Sequence, residues 1–209
     1  MFRGIVDFKN FSNIKKSKTI EKKLSQKLNF YIEKKIIQSF SQNYKYTFHN
    51  KNIKKFQKFK NINVIGMGGS SLGIKAIYNF FMTKIKKKII FIDNINLNKN
   101  HNKKETSLNL VISKSGNTLE TISNFKNLKN KKNNLFICEN SENQIRNMAK
   151  KLKADIIDHR NYIGGRYSVL SEVGMLPAIL MGLSPQKFKK FDYLIKDKNF
   201  TNSLIYNVS

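Results

Sequence analysis

The chain has 209 residues, 40% of them hydrophobic, a single cysteine and a formal net charge of +27. That length holds one ordinary domain with appendages, or one domain and the start of a second; the lone Cys138 excludes an intrachain disulfide and a cysteine-built zinc site, and no run approaches the roughly 18 apolar residues that a membrane span needs. The charge alone would suggest a nucleic-acid binder, but arginine occurs only at Arg3, Arg146, Arg160 and Arg166 while lysine fills every polar stretch alongside asparagine and isoleucine, so we read the excess as compositional, with no nucleic-acid partner and no membrane.

The N-terminus, Met1 to Lys9, has one early basic residue but no apolar h-region and no small-residue cleavage site, which places the protein in the cytoplasm. From Thr19 to Phe40 apolar residues recur every fourth position, at Ile20, Leu24, Leu28, Ile32, Ile36 and Phe40, and predict a helix capped by Thr19. Residues 41–60 read as loop with a short helix. From residue 62 the period changes to short apolar runs, Ile62–Ile65, Ile89–Ile92, Leu108–Ile112, Leu135–Cys138 and Ala154–Ile157, with helices expected near 71–87, 118–131 and 141–152. Strands of this kind are buried on both faces. The alternation predicts an α/β fold, a doubly wound parallel five-stranded sheet in a Rossmann-like three-layer sandwich, preceded by an N-terminal helical segment. Tyr167–Gly182, apolar on nearly all sides, predicts a buried helix kinked at Pro177. Cys138 reads as a small core residue. The expected division is a helical segment over 1–60, the main domain over 61–185, and the start of a truncated C-terminal region over 186–209.

In an open α/β sheet, ligands bind beyond the carboxyl ends of the strands, so the residues after each apolar run carry the chemistry. The first such place is Gly66-Met-Gly68-Gly69-Ser70-Ser71-Leu-Gly73, where glycines allow close backbone approach to an anion and the serines add hydroxyl donors. A dinucleotide-binding protein uses a glycine-rich turn at the same place, and Asp93 ends the second strand about where a ribose-binding acid would sit, so this loop alone leaves both readings open. The second is Ser113-Lys114-Ser115-Gly116-Asn117-Thr118-Leu-Glu120-Thr121, whose hydroxyls and lysine surround a glycine at a helix start and suit a compact phosphate monoester. Its structural alternative is that Asn117 caps the helix and Glu120 closes a capping box. The third is Ile163-Gly164-Gly165-Arg166-Tyr167-Ser168, where Arg166 offers a fixed cationic fork able to stabilise developing negative charge.

These three motifs, in this order, closely resemble the glucose-6-phosphate isomerase family, whose first sugar-isomerase (SIS) domain carries G-x-G-G-S-x-L-G, then S-K-[ST]-x-x-T-x-E-T, then G-G-R-[YF]-S. The resemblance covers about residues 60–185. It implies that Gly69, Ser70, Ser113, Ser115 and Thr118 hold the substrate phosphate with Lys114 beside them. It further implies that Arg166 and Glu120 are catalytic, with Arg166 stabilising an enediolate as glucose 6-phosphate and fructose 6-phosphate interconvert, without metal or cofactor, in a homodimer. In the family the glutamate base, the ring-opening histidine and a late lysine all lie downstream of the Gly-Gly-Arg motif, so the resemblance implies a partial chain without its base. His49, His101 and His159 match none of those positions and are expected at the surface. A stand-alone phosphosugar-binding module and a dinucleotide-dependent oxidoreductase are the alternatives.

Overall fold

A computed structural model describes residues 34–95 and 106–189, together with the helical pairs 22–23 and 26–27. Most of the helix expected over Thr19–Phe40 lies outside the described residues. Its last turns, Lys35–Phe40, form a 3-10 helix instead of an α-helix. The apolar stripe does not pack there, because Ile36 and Phe40 are 40% and 41% exposed. The buried residue is Ser39, whose hydroxyl donates to the Tyr167 carbonyl at 3.1 Å.

Five strands form one all-parallel sheet in the order β2-β1-β3-β4-β5: β1 Asn61–Ile65, β2 Lys88–Ile92, β3 Ser107–Ile112, β4 Asn134–Glu139 and β5 Asp155–His159. Each matches one of the apolar runs. A strand sends successive side chains to opposite faces, and the alternation divides the core in two. Ile62, Val64, Leu108, Leu110, Leu135 and Ile137 face one cluster; Ile65, Val111, Phe136 and Cys138 face the other. Cys138 is fully buried, and burial pushes its thiol above the ordinary range.

Besides the helical pairs at 22–23 and 26–27, the described residues form the α-helices α1 Asn50–Ile53, α2 Leu72–Phe80, α3 Leu119–Lys126, α4 Gln144–Lys151, α5 Glu172–Leu180 and α6 Pro185–Phe188. The first cluster is closed by α1, α2 and α5, through Ile53, Ile74, Ile77, Val173 and Leu176. The second is closed by α3 and α4, through Ile122, Phe125, Ile145 and Ala149. The result is the expected three-layer α/β sandwich.

Two elements differ from expectation. The stretch 71–87 is helical only to Phe80: Phe80 is 80% exposed, and the amides of Lys84 and Ile85 turn back onto the Phe81 carbonyl. Tyr167–Gly182 is two elements, a 3-10 helix over Gly165–Leu170 and then α5. Ser171 makes the break in an extended conformation, its hydroxyl donating to the Ser168 carbonyl at 2.7 Å and accepting from the Val173 amide. Such a side chain competes with helical backbone bonding and favours an N-cap. Pro177 lies within α5.

Candidate active site

Neighbouring strands in a doubly wound sheet open a crevice where the chain changes direction from one side of its first strand to the other. Here β1 pairs with β2 on one side and β3 on the other, so the crevice lies between the carboxyl ends of β1 and β3. Loops 66–71 and 113–118 leave those ends. Because Ile65 is in register with Val111, the two loops start side by side.

The first loop makes a 3-10 turn over Gly68–Ser70 before α2. Ser71 is buried with its hydroxyl turned back to the Gly68 carbonyl at 3.4 Å, leaving the half-buried Ser70 as the hydroxyl on the outer side. In the second loop the Ser113 hydroxyl accepts from the Gly116 amide at 3.1 Å and lies 2.9 Å from the Thr118 hydroxyl. Ser113 is buried, Thr118 half-buried and Ser115 exposed, with the Ser115 oxygen accepting from the Asn117 amide at 3.3 Å. Gly116 has φ +67°, and a Cβ there would collide with the Asn143 side chain. Only glycine lets the loop close this tightly.

Asn143 caps α4 by accepting from the Arg146 amide at 2.8 Å, and the Ile145 amide donates to the Gly116 carbonyl at 2.9 Å. Asn117 also belongs to this contact, its side-chain oxygen accepting from the Gln144 amide at 3.0 Å. The capping box given as the structural alternative at Asn117 and Glu120 is therefore not formed. The N-cap of α3 is Thr118, and Asn117 serves the next helix. Glu120 stands half-buried in the first turn of α3 with no partner among the described residues. Lys114 pairs with Glu139 at 3.5 Å at the end of β4.

The third segment leaves β5 at the far side of the sheet and returns to the end of β1. A Cβ on Gly69 would stand 2.5 Å from the Gly165 carbonyl oxygen, so the two backbones touch. The Ser168 hydroxyl ties them together, 2.7 Å from the Gly165 carbonyl and 3.2 Å from that of Gly69. Arg166 is exposed on this segment with no partner among the described residues. Loop 66–73 thus borders the other two, meeting 113–121 along the sheet and 164–168 face to face. Asp93, where a ribose-binding acid would sit in a dinucleotide site, is engaged by Lys75.

Sequence reasoning misses one group. His159, expected at the surface, is buried at the end of β5, and His49 is exposed; His101 lies outside the described residues. One His159 nitrogen, Nε2, sits 3.1 Å from the Ile163 carbonyl oxygen, and the other, Nδ1, lies 3.6 Å from Glu172. Glu172 is fully buried and accepts from the Tyr44 hydroxyl at 2.8 Å and the Thr47 amide at 3.2 Å. Burial pushes its carboxyl up, but the His159 ring 3.6 Å away and hydrogen bonds from its own backbone, Tyr44 and Thr47 outweigh this and hold it below the ordinary carboxylate range. Burial, then the Glu172 charge, raise the Tyr44 phenol well above its usual value. The signal is there in the sequence: a lone glutamate inside the apolar run Val169–Pro177 must be buried, and a buried charge requires partners.

Residues 29–204 match the family model described as phosphoglucose isomerase. The chain belongs to that family. A probable glucose-6-phosphate isomerase of Methanococcus maripaludis is 36% identical over 138 residues, covering 58% of this chain and 32% of the relative. The glucose-6-phosphate isomerase of Methanocaldococcus jannaschii is 33% identical over 154 residues, covering 66% of this chain and 38% of the relative. This phosphoglucose isomerase family member thus aligns with about a third of either curated relative, 32% of one and 38% of the other. The fold is shared with a hypothetical protein from Thermus thermophilus whose structure superposes with a TM-score of 0.68 at 16% identity, covering 90% of this chain and 51% of that one. Among the described residues, no helix is long and apolar enough to cross a membrane, and no group of three or more His, Cys, Asp or Glu is placed to hold a metal.

Proposed function

We propose that this chain forms the phosphosugar-binding part of a glucose-6-phosphate isomerase acting in the cytoplasm as a homodimer. The observation that carries the reading is the pair of hydroxyl-bearing loops starting side by side between β1 and β3, with the Arg166 segment brought against Gly69. Backbone amides and hydroxyls at the start of a helix suit a phosphate monoester. In this reading Gly69, Ser70, Ser115 and Thr118 contact the phosphate, and Ser113 holds Thr118 and the Gly116 amide in place. Lys114, already paired with Glu139, adds positive field beside the cradle. Arg166 faces the sugar end and stabilises the enediolate oxygen. Glu120, in the first turn of the same helix, is the acid assigned to handle a proton at the sugar. The unit spans residues 61–185, and the base that moves the proton between the first two carbons is supplied from outside it, as the family resemblance implies.

Ser113→Ala combined with Thr118→Ala tests the cradle. Losing the Thr118 hydroxyl contact to a dianion, together with the Ser113 hydroxyl that holds the loop in place, should weaken glucose 6-phosphate binding about 10- to 100-fold, measured by calorimetry on the folded variant. Unchanged affinity would remove the phosphate from this loop.

A further inference from the structure

The segment carrying Arg166 is anchored at its start by a buried ring. His159 ends β5 and Ile163 stands four residues on, both buried, with the turn between them closed by the Ile163 amide donating to the Arg160 carbonyl at 3.1 Å. A carbonyl oxygen can only accept, so the ring nitrogen 3.1 Å from it, Nε2, must carry the hydrogen. The opposite nitrogen faces the Glu172 carboxylate, which is itself fixed by Tyr44 and Thr47. Nδ1 stands 3.6 Å from that carboxylate, outside hydrogen-bond reach, so Glu172 acts on the ring through its charge and by packing behind it. Ile163 is three residues before Arg166, and the next contacts of the segment are already with loop 66–73, through Gly165 and Ser168.

We propose that His159, oriented by Glu172, is a positioning residue for Arg166: its Nε2–H grips the Ile163 carbonyl and sets where the 164–168 turn crosses Gly69. The proposal rests on reading that turn as part of the sugar-phosphate site. It is independent of which residue acts as the base. Three elements distant in sequence meet at this device, residues 44–47, the end of β5 and the start of α5. The Ser39 hydroxyl on the Tyr167 carbonyl adds a second tie from the same N-terminal segment.

The test compares His159→Phe, which keeps a ring but removes the donor, with His159→Gln, whose side-chain amide can still donate to the Ile163 carbonyl. Both are made in the 209-residue chain and read by hydrogen exchange at residues 163–168 and by glucose 6-phosphate calorimetry. His159→Phe should speed exchange of the Tyr167 amide about tenfold with β1 and β3 still protected, and His159→Gln should restore the slow rate. Affinity should fall about tenfold in His159→Phe, and adding Arg166→Ala to it should cost nothing beyond Arg166→Ala alone, as for two residues acting through one contact. Additive losses, or wild-type exchange at Tyr167 in folded His159→Phe, would overturn the positioning role. Absence of glucose 6-phosphate binding by the unaltered chain would instead strike the site reading and leave exchange to decide the role of His159. Should His159→Phe fail to fold, Glu172→Gln provides the same comparison, because its amide oxygen still accepts from Tyr44 while the charge behind the ring is gone.

Discussion

Glu172 is the one fully buried acid among the described residues, and its pH behaviour follows from what surrounds it. Tyr44, Thr47 and His159 contact the carboxylate; Arg160 and Lys189 lie over the Tyr44 ring at 5.4 and 4.7 Å. Its folded-state pKa is lowered from 4.5, so the native state binds the proton less readily than the unfolded chain does. The stabilisation is therefore fully present above about 4.5 and is lost as pH falls through the lower, folded value. Glu172→Gln keeps an acceptor for Tyr44 but gives up the charge. It should cost on the order of 1–3 kcal/mol at neutral pH. Thermal melts followed by circular dichroism should show the gap between wild type and variant narrowing as the buffer is acidified below about 4.5. A gap independent of pH would mean that the carboxylate is not the group that titrates.

At the scale of elements, the 113–118 loop is shaped as much by α4 as by its own helix. The α4 amides of Ile145 and Gln144 reach into it, and Gly116 fills the gap that Asn143 leaves. Gly116→Ala must accept both a positive φ and an overlap with that cap, and should destabilise the fold by about 1–3 kcal/mol in chemical denaturation. Gly164→Ala is the contrast: an added Cβ there meets nothing closer than 3.7 Å, at an ordinary negative φ of −67°, so stability should stay within about 0.5 kcal/mol. Equal costs at the two positions would mean that the α4 buttress is unimportant. These same contacts mark what the amino-acid sequence can and cannot tell. The five strands are readable because each is a short, mainly apolar run, with β1, β3 and β4 buried on both faces and the edge strands β2 and β5 partly so, and the three loops because each follows such a run. The partner of Asn117 is not readable. Spacing along one chain favours a cap on the adjacent helix, and only the parallel pairing of β3 with β4 brings the start of α4 close enough to take it. His159 is misread for a similar reason. Its neighbour Arg160 suggests solvent, whereas the residue that fixes its environment, Glu172, begins an element on another layer.

For the molecule as a whole, the acids near the proposed site bear on how much chemistry this chain can perform alone. Asp93 is taken by Lys75 and Glu139 by Lys114, and Glu172 is sealed beneath the Arg166 segment. That leaves Glu120, on the first turn of α3, as the acid beside the cradle with no partner among the described residues. An aldose–ketose proton transfer needs a base within hydrogen-bond reach of the first two sugar carbons and an acid for ring opening. In the proposed site, a glutamate in the first turn of α3 would serve one end of the sugar, not both. The purified 209-residue chain should therefore bind glucose 6-phosphate yet turn it over at least about 10²- to 10⁴-fold more slowly than the full-length relatives, in an assay coupled to oxidation of the product. Turnover at the relatives' rate would show that Glu120 and Arg166 suffice and that no base from outside is required. Slow turnover that disappears in Glu120→Gln while binding persists would assign the residual proton transfer to Glu120. If Glu120→Gln leaves the residual rate unchanged, the site only binds and polarises the sugar. The field of a chain with net charge +27 attracts the phosphosugar equally in every one of these outcomes, so the comparison separates catalysis from capture.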